Sequence, residues 1–292
     1  MKPRSLFETL TAVQPDQRLR LETEPTGLSM RVMDLFAPIG KGQRGLIVAA
    51  PRTGKTTLIR QMAQAVLRNH PEVHVIVLLI DERPEEVTEF RTALRGTTAE
   101  IVASNNDMPP KRHVEIVEQT LERAKRMVEA RKDVVILFDS LTRMTRAYNH
   151  RTPHRGRTMS GGIDAAAFQG PRAFFGAARK IEQGGSLTII GTVLVDTGSR
   201  MDQVIFEEFK GTGNMELYLV RELADRRIFP SFELLRSGTR REELLLGETA
   251  CAKVAQLRRH LADRKPVEGM QLLLEKLSAT PSNEEFLRHI AS

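Results

Sequence analysis

"AAPRTGKTT", residues 49–57, lies between the apolar run "GLIV" (45–48) and "LIRQMAQAVL" (58–67), whose apolar residues recur at helical spacing. A glycine and a lysine at the point where a strand turns into a helix make an anion cradle. The first N–H groups of the helix have no partner within it, and the helix dipole adds positive potential behind them. Ala49, Ala50, Pro51, Arg52, Thr53, Gly54, Lys55 and Thr56 match a Walker A loop with alanine in the first glycine position. In such a loop Lys55 supplies charge to the β/γ-phosphates and the Thr56 hydroxyl is placed to ligate Mg²⁺. A chance match in an ordinary strand-to-helix turn is the plain alternative. The apolar run before it and the helix after it favour a nucleoside triphosphate site.

The flanking sequence supports that choice. "RGLIVAA" (44–50), "VHVIVLLID" (73–81), "DVVILFDS" (133–140) and "SLTIIGTVLVD" (186–196) are continuous Val/Ile/Leu runs. Runs of this kind suit strands of a parallel sheet buried on both faces. Amphipathic segments alternate with them. In residues 110–131, Val114, Val117, Leu121, Ala124 and Val128 form one stripe, and the spacing pairs Glu122 with Arg126 on the wet side. Strand alternating with helix predicts an α/β fold with a doubly wound, mostly parallel sheet. Residues 1–30 read as an N-terminal connector, 31–247 as the α/β core, and 248–292 as a C-terminal helical appendage of the same domain.

Composition narrows the function classes. No apolar stretch approaches the length of a membrane span, and "MKPRSLFETL" lacks the apolar core of a signal peptide. The single cysteine, Cys251, cannot pair within the chain, which fits a reducing cytoplasm; its helical surroundings predict a buried, inert thiol. A net charge of +7 points to a polyanionic partner. With twelve Phe, two Tyr and no Trp, the grip on a nucleic acid is expected on phosphates more than on stacked bases. His70/His74 and His150/His154 have i, i+4 spacing, but Pro71 and Pro153 interrupt each pair, so no metal site is expected.

Two acidic residues end apolar runs. Asp139 closes "VVILF", the place of a Walker B carboxylate that holds Mg²⁺; its alternative is an N-cap for "LTRMTRAY". Glu82 follows "VHVIVLLI" and is placed to polarise an attacking water, whereas Pro84, Glu85 and Glu86 suit the first turn of a helix. Arg226, Arg227, Arg236, Arg240 and Arg241 lie in a Gly- and Pro-punctuated region. They read either as solvated loop arginines or as a source of an arginine that reaches a neighbour's phosphates.

Six stretches together resemble one family: "GKGQRGLIVAAPRTGKTTL", "VLLIDERPEEVTEF", "DVVILFDSLTRMTRAYN", "FFGAARKIEQGGSLTIIGTVLVDTGS", "EEFKGTGNMELYL" and "RSGTRREELL". The chain is similar, from about residue 6 to its end, to the bacterial Rho transcription-termination factors. The resemblance implies a RecA-like P-loop ATPase domain that assembles as a homo-hexameric ring, with ATP and Mg²⁺ between subunits and single-stranded RNA in the pore. By position it implies nucleotide contacts from Gly40, Lys41, Gly42, Gln43, Arg44 and Gly45, and from Arg52, Thr53, Gly54, Lys55, Thr56 and Thr57. It gives Lys55, Glu82, Asp139 and Arg240 catalytic roles, Arg240 as the finger supplied by the neighbour, and Thr56 and Asp139 the metal. Arg83 and Arg227 adjoin the nucleotide, with Arg143 at the same subunit junction, and Phe229 lies against the adenine. RNA contacts fall on Arg157 in the first pore loop (150–164), on Arg200 in the second (196–203), and on Lys210. Near Arg157 and Arg200 the family usually has lysine; arginine keeps the charge and changes the geometry of the phosphate contact.

Family members also carry an N-terminal OB-type RNA-binding barrel upstream of the "LFETLT" region, whereas here Met1 precedes that region by a few residues. An excised motor domain or a naturally short relative is expected. The leading reading is an RNA-stimulated ring ATPase acting in transcription termination. The others are a non-autonomous subunit or regulator that joins full-length Rho rings, and a ring ATPase that does not act on RNA. RNA polymerase or full-length Rho is the further partner implied.

Overall fold

The computed structural model describes residues 6–152 and 158–290. Six parallel strands make the central sheet: β1 (Arg44–Ala49), β2 (His74–Glu82), β3 (Glu100–Asn105), β4 (Asp133–Asp139), β5 (Ser186–Leu194) and β6 (Met215–Leu219). Their spatial order is β6-β1-β5-β4-β2-β3. Three short antiparallel strands extend it: Gly238–Thr239 on β6, Arg179–Ile181 on β5, and Ala12–Val13 on Arg179–Ile181. The helices that matter below are α1 (Leu28–Phe36), α2 (Lys55–Asn69), α3 (Pro84–Ala93), α4 (Pro110–Glu129), α5 (Leu141–Arg151), α6 (Arg200–Phe209), α7 (Glu248–Ala262), α8 (Pro266–Ser278) and α9 (Asn283–Arg288).

The unbroken apolar runs follow from burial on both faces. Along β1, Leu46 and Val48 pack with Val117, Leu121 and Met144 of α4 and α5, and Ile47 and Ala49 pack on the other side with Phe36, Leu58 and Met62. β2 alternates likewise: Ile76, Leu78 and Ile80 face one layer, Val75, Val77 and Leu79 the other. Each face is covered by helices, so neither set of side chains can be polar. Fully burying each aliphatic side chain contributes roughly 1.5–3 kcal/mol, which makes these strands the rigid frame of the molecule.

α4 opens on Pro110 at its first position, where a missing N–H costs nothing, and its predicted stripe is buried throughout. Glu122 does not reach Arg126. Instead Lys125 donates to it at 3.0 Å, one turn back along the helix. The C-terminal helices are fastened by Arg31, fully buried in α1. Its guanidinium donates to the carbonyls of Leu277 (2.8 Å) and Thr280 (2.7 Å), capping the end of α8, and to Asn283 Oδ1 (3.2 Å). At the other end of the chain Phe7 is fully buried beneath the Arg179 guanidinium, 4.8 Å from its ring centre, and Leu19 and Leu21 join the core.

Candidate active site at the carboxyl edge of the sheet

Because the six strands are parallel, the ends of β1, β2 and β4 bring Ala49, Glu82 and Asp139 to one edge, where ligands of open α/β sheets bind. The Walker loop follows β1. Gly54 has φ +88°, a left-handed value suited to glycine, and a Cβ there would lie 3.3 Å from the Phe229 ring. α2 begins at Lys55, so its free N–H groups face the loop. Thr53 Oγ1 donates to Ala50 O (2.7 Å) and Ser231 Oγ donates to Thr53 O (2.7 Å), tying the loop to the segment after β6.

Lys55 Nζ lies 2.5 Å from Asp139 Oδ1 and 3.9 Å from Glu82 Oε1. Asp139 is buried, and Thr192 Oγ1 on β5 donates to it at 2.9 Å. Asp139 does not cap α5: that place belongs to Ser140, whose Oγ accepts from Arg143 N–H (3.2 Å). Glu82 is 2% exposed, and neither carboxylate oxygen has a hydrogen-bond partner. Arg143 Nε stands 3.3 Å from Glu82 Oε1, angled off a hydrogen bond. Burial, then the nearby Asp139 charge, pushes the Glu82 carboxyl up to about 7; Lys55 and Arg143 oppose the rise.

A cavity of about 300 Å³ adjoins this cluster, lined by Ser29, Thr53, Gly54, Thr57, Gln61 and Phe229 among others. Phe229 is 45% exposed, so a ring face is free for a planar base. Arg52, Thr57, Arg83 and Arg227 are exposed around the same edge, and Thr56 is half-buried in the first turn of α2. Arg83 is the residue before Pro84, which opens α3 as expected.

The other predicted contacts lie elsewhere. Gly40, Lys41, Gly42, Gln43, Arg44 and Gly45 precede or open β1, at the amino edge, and five residue steps from Arg44 to Ala49 span roughly 17 Å. Within one copy this segment and the Walker loop cannot share one phosphate group. Its residues serve packing: Gln43 Nε2 donates to Asn214 Oδ1 (2.6 Å), Lys41 pairs with Asp133 (2.7 Å), and Gly45 lies against Ile190. Arg240 is at this same amino edge, its N–H donating to Asn214 O (2.8 Å). Arg44 lies beside it and carries a lowered pKa, chiefly from burial and then from the charges of Arg240 and Arg179. Cys251 is half-buried rather than buried; burial and the neighbouring Glu242 push its thiol up, which keeps it protonated.

Residues 29–239 match the nucleotide-binding domain of the ATP synthase alpha/beta family. The chain is 59% identical over 288 residues to transcription termination factor Rho of Aquifex aeolicus, covering 99% of this chain and 66% of that protein. It is 57% identical to Rho of Thermotoga maritima (97% and 66%) and 55% identical to Rho of Streptomyces coelicolor (99% and 69%). The chain belongs to the Rho family. It spans about two thirds of the length of these Rho proteins. A prototypical ATPase from the type III secretion system of pathogenic bacteria superposes with a TM-score of 0.80 at 22% identity, over 96% of this chain and 85% of that one, so the two share the RecA-like P-loop fold.

In this Rho-family chain two of the three positions expected to contact RNA, Arg200 and Lys210, lie at the two ends of α6. Ser199 caps the helix, accepting from Asp202 N–H at 3.4 Å, and Arg200 opens it, exposed and without an ion pair among the described residues. Asp202 is buried and fixes the loop, accepting from Arg146 (2.9 Å) and from Thr197 Oγ1 (2.7 Å). Lys210 lies at the far end of α6, about 15 Å away by helix rise, paired with Glu207 at 3.8 Å. Arg157 lies outside the described residues. Gly161, at the end of the first loop, packs on the backbone of Arg200 and Met201, where a Cβ would sit 2.7 Å from Met201 N. The two loops therefore touch. Sequence reading gave no role to Asp81, which adjoins Glu82 in the chain, or to Ser104, His113, Arg146 and Thr192, which the fold brings near Asp81, Asp139 or the second loop. No helix among the described residues is long and apolar enough to cross a membrane.

Proposed function

We propose that the chain is the ATP-hydrolysing motor of a ring that threads single-stranded RNA and acts in transcription termination in the cytoplasm. One observation carries this reading. The phosphate-binding Lys55 and the cations Arg240, Arg44 and Arg179 occupy opposite edges of the same sheet. An arginine finger on this design serves the next copy, and contact between two different edges is heterologous, the kind that closes into rings. Membership of the Rho family supports six copies, and RNA polymerase or full-length Rho as further partners.

The proposed chemistry uses this chain's own groups. Glu82, with a carboxyl near 7 and two oxygens free of partners, accepts a proton from the water that attacks the γ-phosphate. Lys55 extends from Asp139 to the phosphate oxygens. Phe229 holds the base, and Arg52, Arg83, Arg227 and Thr57 surround the phosphates and sugar. Arg240 of the neighbour meets the charge that develops as the bond breaks. Thr56 hydroxyl and the Asp139 carboxylate are hard oxygen donors, which fits Mg²⁺. Among the described residues no cluster of three metal-ligating side chains exists, so the phosphates would complete its shell. When bound, the ion neutralises charge on the β- and γ-phosphates. Arg157, Arg200 and Lys210 grip the RNA backbone with little base preference.

Phosphate release with ATP, with and without poly(C), tests the reading. Strong stimulation by RNA, growing with protein concentration as subunits assemble, is expected. Equal rates in both conditions at every concentration would remove RNA and assembly from the function.

A further inference from the structure

At the end of β2 the strand does something unusual. Asp81 has φ +59°, a left-handed conformation that an ordinary residue adopts only when its surroundings enforce it. The ladder to β3 shifts by one residue there: Ile80 pairs with Ser104, but Glu82 rather than Asp81 pairs with Asn105. Side chains alternate with a period of two, so this extra residue decides which face Glu82 takes.

The bulge is gripped from two sides. On one, Ser104 Oγ of β3 accepts from Asp81 N–H (3.3 Å) and bonds His113 Nδ1 of α4 (2.8 Å). Ser104 is fully buried and His113 is 4% exposed. On the other, Arg143 of α5 donates to Asp81 O and stands 3.4 Å from Asp81 Oδ2. Asp81, the Met108 backbone and Arg143 face the His113 ring, with burial the largest influence; burial lowers its pKa and keeps the ring neutral at physiological pH. Ser104 Oγ thus links the Asp81 N–H to the His113 ring, whose Nε2 stands 3.9 Å from Asp81 Oδ1.

We propose that His113 and Ser104 are positioning residues for Glu82: by clamping Asp81 in its left-handed conformation they hold the bulge that turns the Glu82 carboxylate into the nucleotide site. This rests on the reading of Glu82 as the proton acceptor. Loosening the clamp lets Asp81 relax toward extended backbone, and the carboxylate loses its aim at the attacking water while the Walker loop, on another strand, keeps its shape.

The experiment measures RNA-stimulated phosphate release and, separately, the dissociation constant of a fluorescent ATP analogue, for Ser104→Ala, His113→Ala, His113→Asn and Glu82→Gln in the full chain. Displacing a reacting group by about 1 Å costs on the order of 100-fold, so Ser104→Ala and His113→Ala should lower kcat about 10- to 100-fold with nucleotide affinity held within about twofold. His113→Asn keeps a polar amide where Nδ1 stood, able to accept from or donate to Ser104 Oγ, and should recover most of the loss. Should His113→Ala fail to show a cooperative thermal transition, Ser104→Ala and His113→Asn carry the test. Wild-type kcat in the alanine variants overturns the proposal. So does asparagine as impaired as alanine, or kcat and nucleotide affinity falling together. Full activity in Glu82→Gln would instead sink the assignment of Glu82 itself, a separate failure.

Discussion

The two edges of the central sheet are built differently. At the carboxyl edge the charged groups compensate one another: Lys55 lies between Asp139 and Glu82, and Arg143 between Glu82 and Asp81. At the amino edge burial, and then the charges of Arg240 and Arg179, lower the Arg44 pKa, with no carboxylate among the causes. The cluster at the ends of β2 and β4 is internally paired, whereas Arg44 at the other edge faces two further arginines. That difference supports the proposal that a single copy carries two halves of unlike sites, which is a reason for copies to associate head to tail.

The largest expected effect tests the carboxyl half. Lys55→Ala removes the only ammonium beside Asp139 and Glu82 among the described residues and should lower ATP turnover by roughly 10³-fold or more, read as steady-state phosphate release. Arg240→Ala should cost on the order of 10³-fold in kcat while each subunit still binds nucleotide. The sharper trial mixes the two. A junction between a Lys55→Ala subunit and an Arg240→Ala subunit contains, in one orientation, both an intact lysine and an intact arginine. Partial recovery in the mixture would show that the halves come from different copies; none at any ratio would break the comparison.

How much of this was legible in sequence depended on burial. β1, β2, β4 and β5 announced themselves because both faces are covered. β3 did not: it is an edge strand, half-exposed along most of its length, and "EIVASN" carries no apolar run. β6 is five residues, "MELYL", too short to stand out. The Walker loop was readable because its chemistry needs consecutive residues. The segment 40–45 came by resemblance, and the sheet sets it a strand length from that loop. The Asp81 bulge was not legible at all, since a left-handed backbone at an aspartate leaves no spacing pattern. The i, i+4 rule also chose Arg126 for Glu122, whereas Lys125 was the partner within reach.

The carboxyl edge makes a pH prediction that the amino edge does not. With the Glu82 carboxyl near 7, kcat/KM should fall as pH drops through that value, because a proton acceptor must be ionised, and Glu82→Gln should leave only a low, flat profile. Stability runs the opposite way. The folded-state pKa lies above the ordinary 4.5, so the group's contribution is fully present below about 4.5 and is lost as pH rises through about 7. At pH 8 Glu82→Gln should therefore be the more stable protein by up to about 3 kcal/mol in urea unfolding. Equal stability at pH 8 and pH 5 in both proteins would show that the carboxyl is not raised.

The smallest effect belongs to neither edge but to α6, and it separates the RNA grip from the ATP site. Arg200 opens that helix exposed, while its neighbour Asp202 is locked by Arg146 and Thr197, so removing the Arg200 side chain leaves the loop's anchor intact. Arg200→Ala should weaken single-stranded RNA binding roughly three- to tenfold, equally for poly(C) and poly(U), because a phosphate contact reads no base. The slope of log affinity against log salt should shrink by about 0.7, one phosphate's worth on a single strand. Basal ATP affinity should not move. A change confined to one RNA sequence, with the salt slope unaltered, would make Arg200 a reader of bases and not a cation on the threaded backbone.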